Sequence, residues 1–214
     1  MEKRIGVLML TFVCMTLVSY GQQKVDMVAA YQDQKINVVN RTLSLYENSV
    51  GAMEMNAAEG DGLAILQDIS FSTGSIEIEL LGENSPGRSF IGLAFNIQDE
   101  ETFEAIYFRP FNFVAEEQIR KDHMVQYINH PDNTWRQLRR ERTGEFENEI
   151  PSAPDPYGWF RATIKISKKY VEVRVDDVAE PVLKVERLST PKSDRIGLWV
   201  GYGSSGRFQN LTLF

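Results

Sequence analysis

Phe160-Arg161-Ala162-Thr163-Ile164-Lys165-Ile166-Ser167, followed after Lys168-Lys169 by Tyr170-Val171-Glu172-Val173-Arg174-Val175-Asp176, decides the fold class. Phe160, Ala162, Ile164 and Ile166 share one parity, opposite Arg161, Thr163 and Lys165. Val171, Val173 and Val175 alternate in the same way with Glu172, Arg174 and Asp176. Successive side chains on a strand point to opposite faces, so each run has one buried face and one wet face, as an antiparallel sheet requires. Two such runs joined by Lys168-Lys169 predict a hairpin.

Outward from this hairpin the period stays at two. Runs bounded by Gly, Asn, Asp and Pro predict strands over 41–46, 51–56, 63–66, 75–81, 89–97, 104–111, 123–129, 182–186, 195–201 and 208–214. Ile91, Leu93, Phe95 and Ile97 are expected to share a buried face with a wet face opposite. Many short strands at close spacing predict one all-β domain over 40–214. Residues 129–159 break the pattern, being rich in Pro and charge. Within them Pro131-Asp132-Asn133-Thr134 predicts a capped short helix through Arg142, with Trp135 and Leu138 on one side. Loops of this length inside a domain are usually functional or disordered, and the aromatics here favour order. Residues 22–39 are read as a flexible or short helical segment, with Gln22-Gln23-Lys24 as a loose start.

Residues 1–21 read as a signal peptide: Lys3 and Arg4, then an apolar run from Ile5 to Val18, then Ser19-Tyr20-Gly21 before the expected cut. That run is shorter than the roughly 20 apolar residues of a membrane helix, so no stable membrane span is expected after cleavage. The expected location is outside the cytoplasm: periplasmic, cell-surface or extracellular. The single cysteine, Cys14, falls in the removed segment, so the mature chain has no disulfide and no thiolate metal site. The net charge of −7 becomes −8 once Glu2, Lys3 and Arg4 are gone. An acidic domain repels phosphate backbones, which argues against a nucleic-acid partner.

Three stretches carry a family resemblance. Phe71-Ser72-Thr73-Gly74-Ser75-Ile76-Glu77-Ile78-Glu79 resembles the early strand of concanavalin A-like domains. The hairpin from Trp159 to Asp177 resembles that of laminin-G-like domains. Ile196-Gly197-Leu198-Trp199-Val200-Gly201, then Gly206-Arg207-Phe208-Gln209-Asn210-Leu211, is similar to the closing strands of the 3-keto-disaccharide hydrolase domains. The resemblance implies a concanavalin A-like jelly-roll sandwich of two antiparallel sheets, one concave, with an oligo- or polysaccharide as the ligand on the concave face. The Glu-x-Asp-x-x-Glu run of laminarinase-type relatives is missing; the nearest approach is Glu59-Gly60-Asp61, with Ala64 where the last acid would stand.

Candidate site residues follow from parity. If Ile106 and Phe108 face the core, Tyr107 and Arg109 face outward, a ring for C–H stacking beside a guanidinium fork. By the same argument Gln126 points outward next to Val125 and Tyr127. His123 and His130 flank that strand, about 23 Å apart if it is extended, too far to share one metal. His130 is kept as a ligand candidate and His123 as a weak catalytic one; both also suit plain surface or capping roles. Trp135 is either a sugar platform or a plug that staples its loop to the sheet. Arg136, Arg139, Arg140 and Arg142 form a solvated helix face or, if the loop covers the concave sheet, attract an acidic glycan. Trp199 lies off the core face by parity. For carboxylate-pair catalysis the pairing to test is Glu104 with Glu77 or Glu79. No cofactor is expected beyond calcium at the acidic turn Asp99-Glu100-Glu101, where a full site would need six to eight converging oxygens.

These readings rank a non-catalytic, exported carbohydrate-binding domain first. A glycoside-processing hydrolase related to the 3-keto-disaccharide hydrolases stands second, and a structural or partner-binding domain third.

Overall fold

The computed structural model describes residues 21–214; residues 1–20, with Cys14 and nearly all of the expected signal peptide, lie outside the described residues. In chain order the elements are Gln23–Lys24 (β1), Met27–Gln32 (α1), Ile36–Val39 (β2), Leu43–Leu45 (β3), Met53–Met55 (β4), Gly62–Leu66 (β5), Gly74–Leu81 (β6), Ile91–Phe95 (β7) and Phe103–Phe108 (β8). A 3-10 turn at Pro110–Asn112 leads to Gln118–Lys121 (α2), Val125–His130 (β9), Trp135–Glu141 (α3) and Glu147–Asn148 (β10). Phe160–Ile166 (β11), Tyr170–Val175 (β12), Leu183–Glu186 (β13), Ile196–Val200 (β14) and Gly206–Leu213 (β15) complete the chain.

The strands form two antiparallel sheets. One has eight strands in the order β13-β12-β11-β6-β15-β4-β3, with β1 also against β15. The other has seven, in the order β10-β9-β8-β7-β14-β5-β2. Their inner faces meet in one apolar core, where Phe108 of one sheet packs edge-on against Phe160 of the other at 5.1 Å. Ile78, Leu80, Ile164, Val173 and Phe208 face Leu93, Phe95, Ile106 and Leu198 across it, all buried. The expected all-β sandwich is the fold.

The two sheets differ on their outer faces. In the eight-stranded sheet burial alternates along β6, β11 and β12, as their apolar–polar alternation demands. In the seven-stranded sheet β7, β8 and β14 are buried at every residue. The expected wet face opposite Ile91, Leu93 and Phe95 is therefore corrected: Ala94 and Ala105 lie there with no exposed surface, under covering segments of chain.

The 22–39 segment also differs from expectation. Its short helix α1 is present, capped by Asp26, whose side chain accepts the Ala29 N–H at 2.9 Å. Gln23 and Lys24 are no loose start: they pair with Leu213 and Thr212 of β15, and β2 is the edge strand beside β5. Val25 and Met27 are buried, so burial of those two side chains ties the segment down. Residues 129–159 hold the expected helix as α3, capped by Thr134. They also hold β10, a two-residue strand on β9 that hydrophobic period alone does not mark.

Candidate functional site

The site is built from rows of residues in register across the seven-stranded sheet. Glu147, Gln126, Tyr107, Gly92, Trp199 and Leu63 face each other on six successive strands. Two residues along lies a row of Ile128, Ala105, Ala94, Gly197 and Ile65. At the centre the side chains are absent or a single methyl. A Cβ on Gly92 would stand 2.0 Å from the Ile106 carbonyl oxygen, so backbone packing itself requires glycine there. The gap lets the Tyr107 and Trp199 rings approach to 5.0 Å between centroids over Gly92, tilted by 43°.

Helix α3 and the strand ends wall this floor into two adjoining recesses. The first, about 230 Å³, is lined by Asp61, Tyr107, His130, Trp135, Trp199 and Tyr202, among others. The second, about 280 Å³, runs toward Phe111, Arg120 and His123. Phe90 and Trp135 border both, which makes one groove with Trp135 on its rim. Tyr202 is 60% exposed and forms the opposite rim. A larger, open recess of about 620 Å³ at the end of the sandwich, lined by Thr73, Lys169, Leu188 and Pro191 with others, has no aromatic wall.

Tyr107 and Arg109 do face away from the core, but they are not offered to solvent. Arg109 Nη2 donates to Tyr107 Oη at 2.6 Å and to Gln126 Oε1 at 2.5 Å, and Nη1 donates to the His123 carbonyl at 2.8 Å. Tyr107 Oη donates in turn to Gln126 Oε1 at 2.9 Å. Burial pushes the Tyr107 hydroxyl up to about 12, so it stays protonated, and lowers Arg109 from its ordinary value. The expected free guanidinium fork is corrected: Arg109 lines the second recess, but its fork is engaged by Tyr107, Gln126 and the His123 carbonyl. Gln126 is likewise outward but fully buried, and its Nε2 has no partner.

The cover is held by charge. Glu147 on β10, nearly buried, receives Arg139 of α3 through Nε at 3.1 Å and Nη2 at 2.7 Å. His123 Nδ1 stands 2.8 Å from the same carboxylate, without the angle of a hydrogen bond, and Arg109 Nη1 lies at 3.9 Å. This bidentate clamp is what lays α3 over the sheet. Burial lowers His123 from the ordinary imidazole value, against the pull of Glu147. Trp135 is 38% exposed, with the guanidinium groups of Arg136 and Arg139 each 5.0 Å from its ring centroid. Arg136, exposed, lines the first recess and has no carboxylate within salt-bridge distance among the described residues.

At the other end His130 Nδ1 lies 3.3 Å from Asp61 Oδ2. Burial disfavours the charged form of each, raising Asp61 and lowering His130, and their mutual attraction opposes both shifts. The loop bearing Asp61 is tied down by Asn40, which donates to the Glu59 and Asp61 carbonyls at 2.7 and 3.0 Å. Arg41 donates to the Gly60 and Gly201 carbonyls at 2.7 and 3.0 Å. Asp61, Phe90 and Tyr202 are site residues that sequence reasoning missed. Asp61 entered the sequence reading only as part of Glu59-Gly60-Asp61, the nearest approach to a catalytic run, and Tyr202 carried the signal of an aromatic between Gly201 and Gly203 at a strand end.

The catalytic pairing is corrected. Glu104 points into the core and is fully buried. It accepts from Tyr127 Oη at 2.6 Å, Asn96 Nδ2 at 2.8 Å, Ser189 Oγ at 2.8 Å, and Arg187 at 3.0 and 2.5 Å. Every lone pair is taken by the protein, with no room for a substrate. Glu77 and Glu79 lie on the outer face of the other sheet, so no ligand can sit between them and Glu104. In the acidic turn, Asp99 Oδ1 accepts the Glu101 and Thr102 N–H groups at 2.9 and 2.7 Å, which holds its carboxyl below the usual range. Among the described residues, no three His, Cys, Asp or Glu side chains group in a way that could hold a metal, and no helix is long and apolar enough to cross a membrane.

Solved structures share this fold. A carbohydrate-binding module, CBM66 from Bacillus subtilis, matches with TM-score 0.59 and 15% identity over 84% of this chain and 96% of that one. A Bacillus subtilis protein of unknown function with a galectin-like fold matches with TM-score 0.58 and 10% identity, over 89% and 94%. The exoplasmic/lumenal domain of VIP36, bound to calcium and Man3GlcNAc, matches with TM-score 0.56 and 12% identity, over 86% and 85%. No protein-family model and no curated protein sequence matches the chain. The likeness is one of fold, a lectin-type sandwich.

Proposed function

We propose that this chain is a non-catalytic, exported carbohydrate-binding domain that takes a glycan segment in the groove between the outer face of its seven-stranded sheet and α3. The observation that carries the reading is the aromatic lining of a recess with few polar groups: Tyr107 and Trp199 on the floor, Trp135 and Tyr202 on the rims. Sugar rings present flat C–H faces that stack on exposed rings such as Trp135 and Tyr202, above a floor closed by the nearly buried Tyr107 and Trp199, while a few polar groups fix their orientation. Asp61, His130 and Arg136 are the polar groups placed to do so. The carbohydrate-binding module and the glycan-bound VIP36 domain among the similar folds support this ligand class, as analogy.

Lining residues also favour binding over cleavage. Carboxylate-pair hydrolysis needs two acids about 5–10 Å apart across the scissile bond. Asp61 is the one acid among the described residues lining the groove. A glycan array probed with the chain, with free-sugar release assayed on every hit, tests the reading. Saturable binding without release is expected, weakened about tenfold by Trp135→Ala or Tyr202→Ala, the loss of one stacked ring. Binding untouched by both changes, or release of sugar, would overturn it.

A further inference from the structure

A second aromatic recess lies on the opposite side of the sandwich. Arg207 of β15, Glu54 of β4 and Leu81 of β6 are in register on the outer face of the eight-stranded sheet. There Tyr46, Leu81, Glu83, Ser85, Tyr157 and Arg207 line a recess of about 380 Å³ with other residues of the 82–85 turn. Tyr157 is 71% exposed, and Trp159 packs edge-on against Tyr46 at 6.4 Å.

The polar groups of this recess are held in place before any ligand arrives. Arg207 Nε donates to Glu54 Oε1 at 2.8 Å and Nη1 to Glu83 Oε1 at 3.0 Å, while its guanidinium stands 5.4 Å from the Tyr46 ring centroid. Ser205 Oγ donates to the same Glu83 oxygen at 2.9 Å. Glu83 is thus fixed through Oε1, and its other oxygen has no partner among the described residues. A fixed acceptor, a fixed cation and two tyrosines converge where an otherwise polar sheet face ends.

We infer that this recess is a second carbohydrate site, selective for a neutral sugar residue. An exposed tyrosine supplies the stacking surface, and the free oxygen of Glu83 accepts from a sugar hydroxyl. Two carboxylates against one guanidinium leave the recess net negative, which disfavours uronates and sulfated sugars. The groove beside α3 and this recess lie on opposite faces but share the segment from Glu83 to Phe90, which lines one with its first residue and the other with its last. Two sites on one rigid sandwich would hold a polymer by raising the effective concentration of the second contact.

Calorimetric titration with cellohexaose, xylohexaose, mannohexaose and laminarihexaose tests this on the full chain, its Tyr157→Ala and Glu83→Gln variants, and Trp135→Ala. Tyr157 is exposed and Glu83 is half-buried at the edge of the sheet, where glutamine keeps an acceptor oxygen for Arg207 and Ser205, so the fold is expected to persist. At least one hexasaccharide should bind at a site that each of these two changes weakens about tenfold and that Trp135→Ala leaves intact. The inference falls if no hexasaccharide binds, or if Tyr157→Ala and Glu83→Gln bind with unchanged affinity and stoichiometry. Loss confined to Trp135→Ala would uphold the groove alone and refute this site; loss confined to the recess variants would uphold this site and show that these hexasaccharides do not enter the groove.

Discussion

Replacing Glu104 by Gln separates a structural carboxylate from a catalytic one. The wild-type side chain is fully buried, and Arg187 opposite it is 2% exposed, so the pair is desolvated on both sides. Breaking such a pair by neutralising one partner costs about 3–5 kcal/mol, because the other charge stays buried without compensation. Glutamine keeps one acceptor oxygen but turns an NH2 toward donors from Tyr127, Asn96, Ser189 and Arg187, which supports the lower end, about 3 kcal/mol. In a domain of this size 1 kcal/mol moves the midpoint by about 2–4 °C, so the variant should melt about 6–12 °C lower. Thermal denaturation followed by circular dichroism reads this directly. Arg187→Met should cost less in the Glu104→Gln background than in the wild type, with a coupling of about 2 kcal/mol or more, since the two residues act on one interaction. Glycan binding measured well below the new midpoint should be unchanged. An unaltered midpoint together with lost binding would refute the reasoning and place Glu104 against the ligand.

Two other consequences follow from packing and burial. Gly92→Ala puts a methyl into the Ile106 carbonyl and the Tyr107 backbone, so a loss of about 3 kcal/mol or more is expected in urea, whereas Gly158→Ala, with its nearest contact at 3.6 Å, should stay within about 0.5 kcal/mol; equal effects would sink the argument. Burial depresses both His123 and His130 below 6.5, so the unfolded chain binds protons that the native chain refuses, and stability is complete above that value and lost as pH falls through it. Asp61, raised by burial, opposes this at the acid end, because there the native state binds the proton. The midpoint should therefore drop between about pH 7.5 and 5.5, and His123→Asn/His130→Asn should flatten that slope; an undiminished slope in the double variant would rule the histidines out.

Parity carried most of what the sequence could say. It placed Phe160, Ile164 and Val173 in the core, Trp199 on the outer face and Gln126 beside Tyr107 on that face, because a strand has only two sides. Thr134 with the apolar Leu138 located α3, since a capping side chain and one apolar stripe are local features. Exposure was not local. Whether Arg109 is free depends on Gln126, His123 and Glu147, up to 38 positions away, and on the clamp of Arg139 to Glu147 that lays α3 over the sheet. Parity gave the side; only the fold gave the cover.

That distinction explains which face became a site. A strand that reads apolar on both parities, as Ile91-Gly92-Leu93-Ala94-Phe95 does, needs cover on both sides. Small residues on the outer parity, Gly92, Ala94, Ala105 and Gly197, let that cover approach the sheet closely, and Ala94 and Ala105 are fully covered. The larger rings of Tyr107 and Trp199 meet at 5.0 Å over Gly92 and form the floor of the first recess, with Trp135 of α3 on its rim. The eight-stranded sheet does the opposite: Glu77, Glu79, Gln209 and Arg161 solvate its outer face, and a recess arises only where the strands end at Tyr46 and Tyr157. On this account Gly92 is as much a determinant of the groove as any aromatic residue in it, for a side chain there would close the gap over which Tyr107 and Trp199 meet.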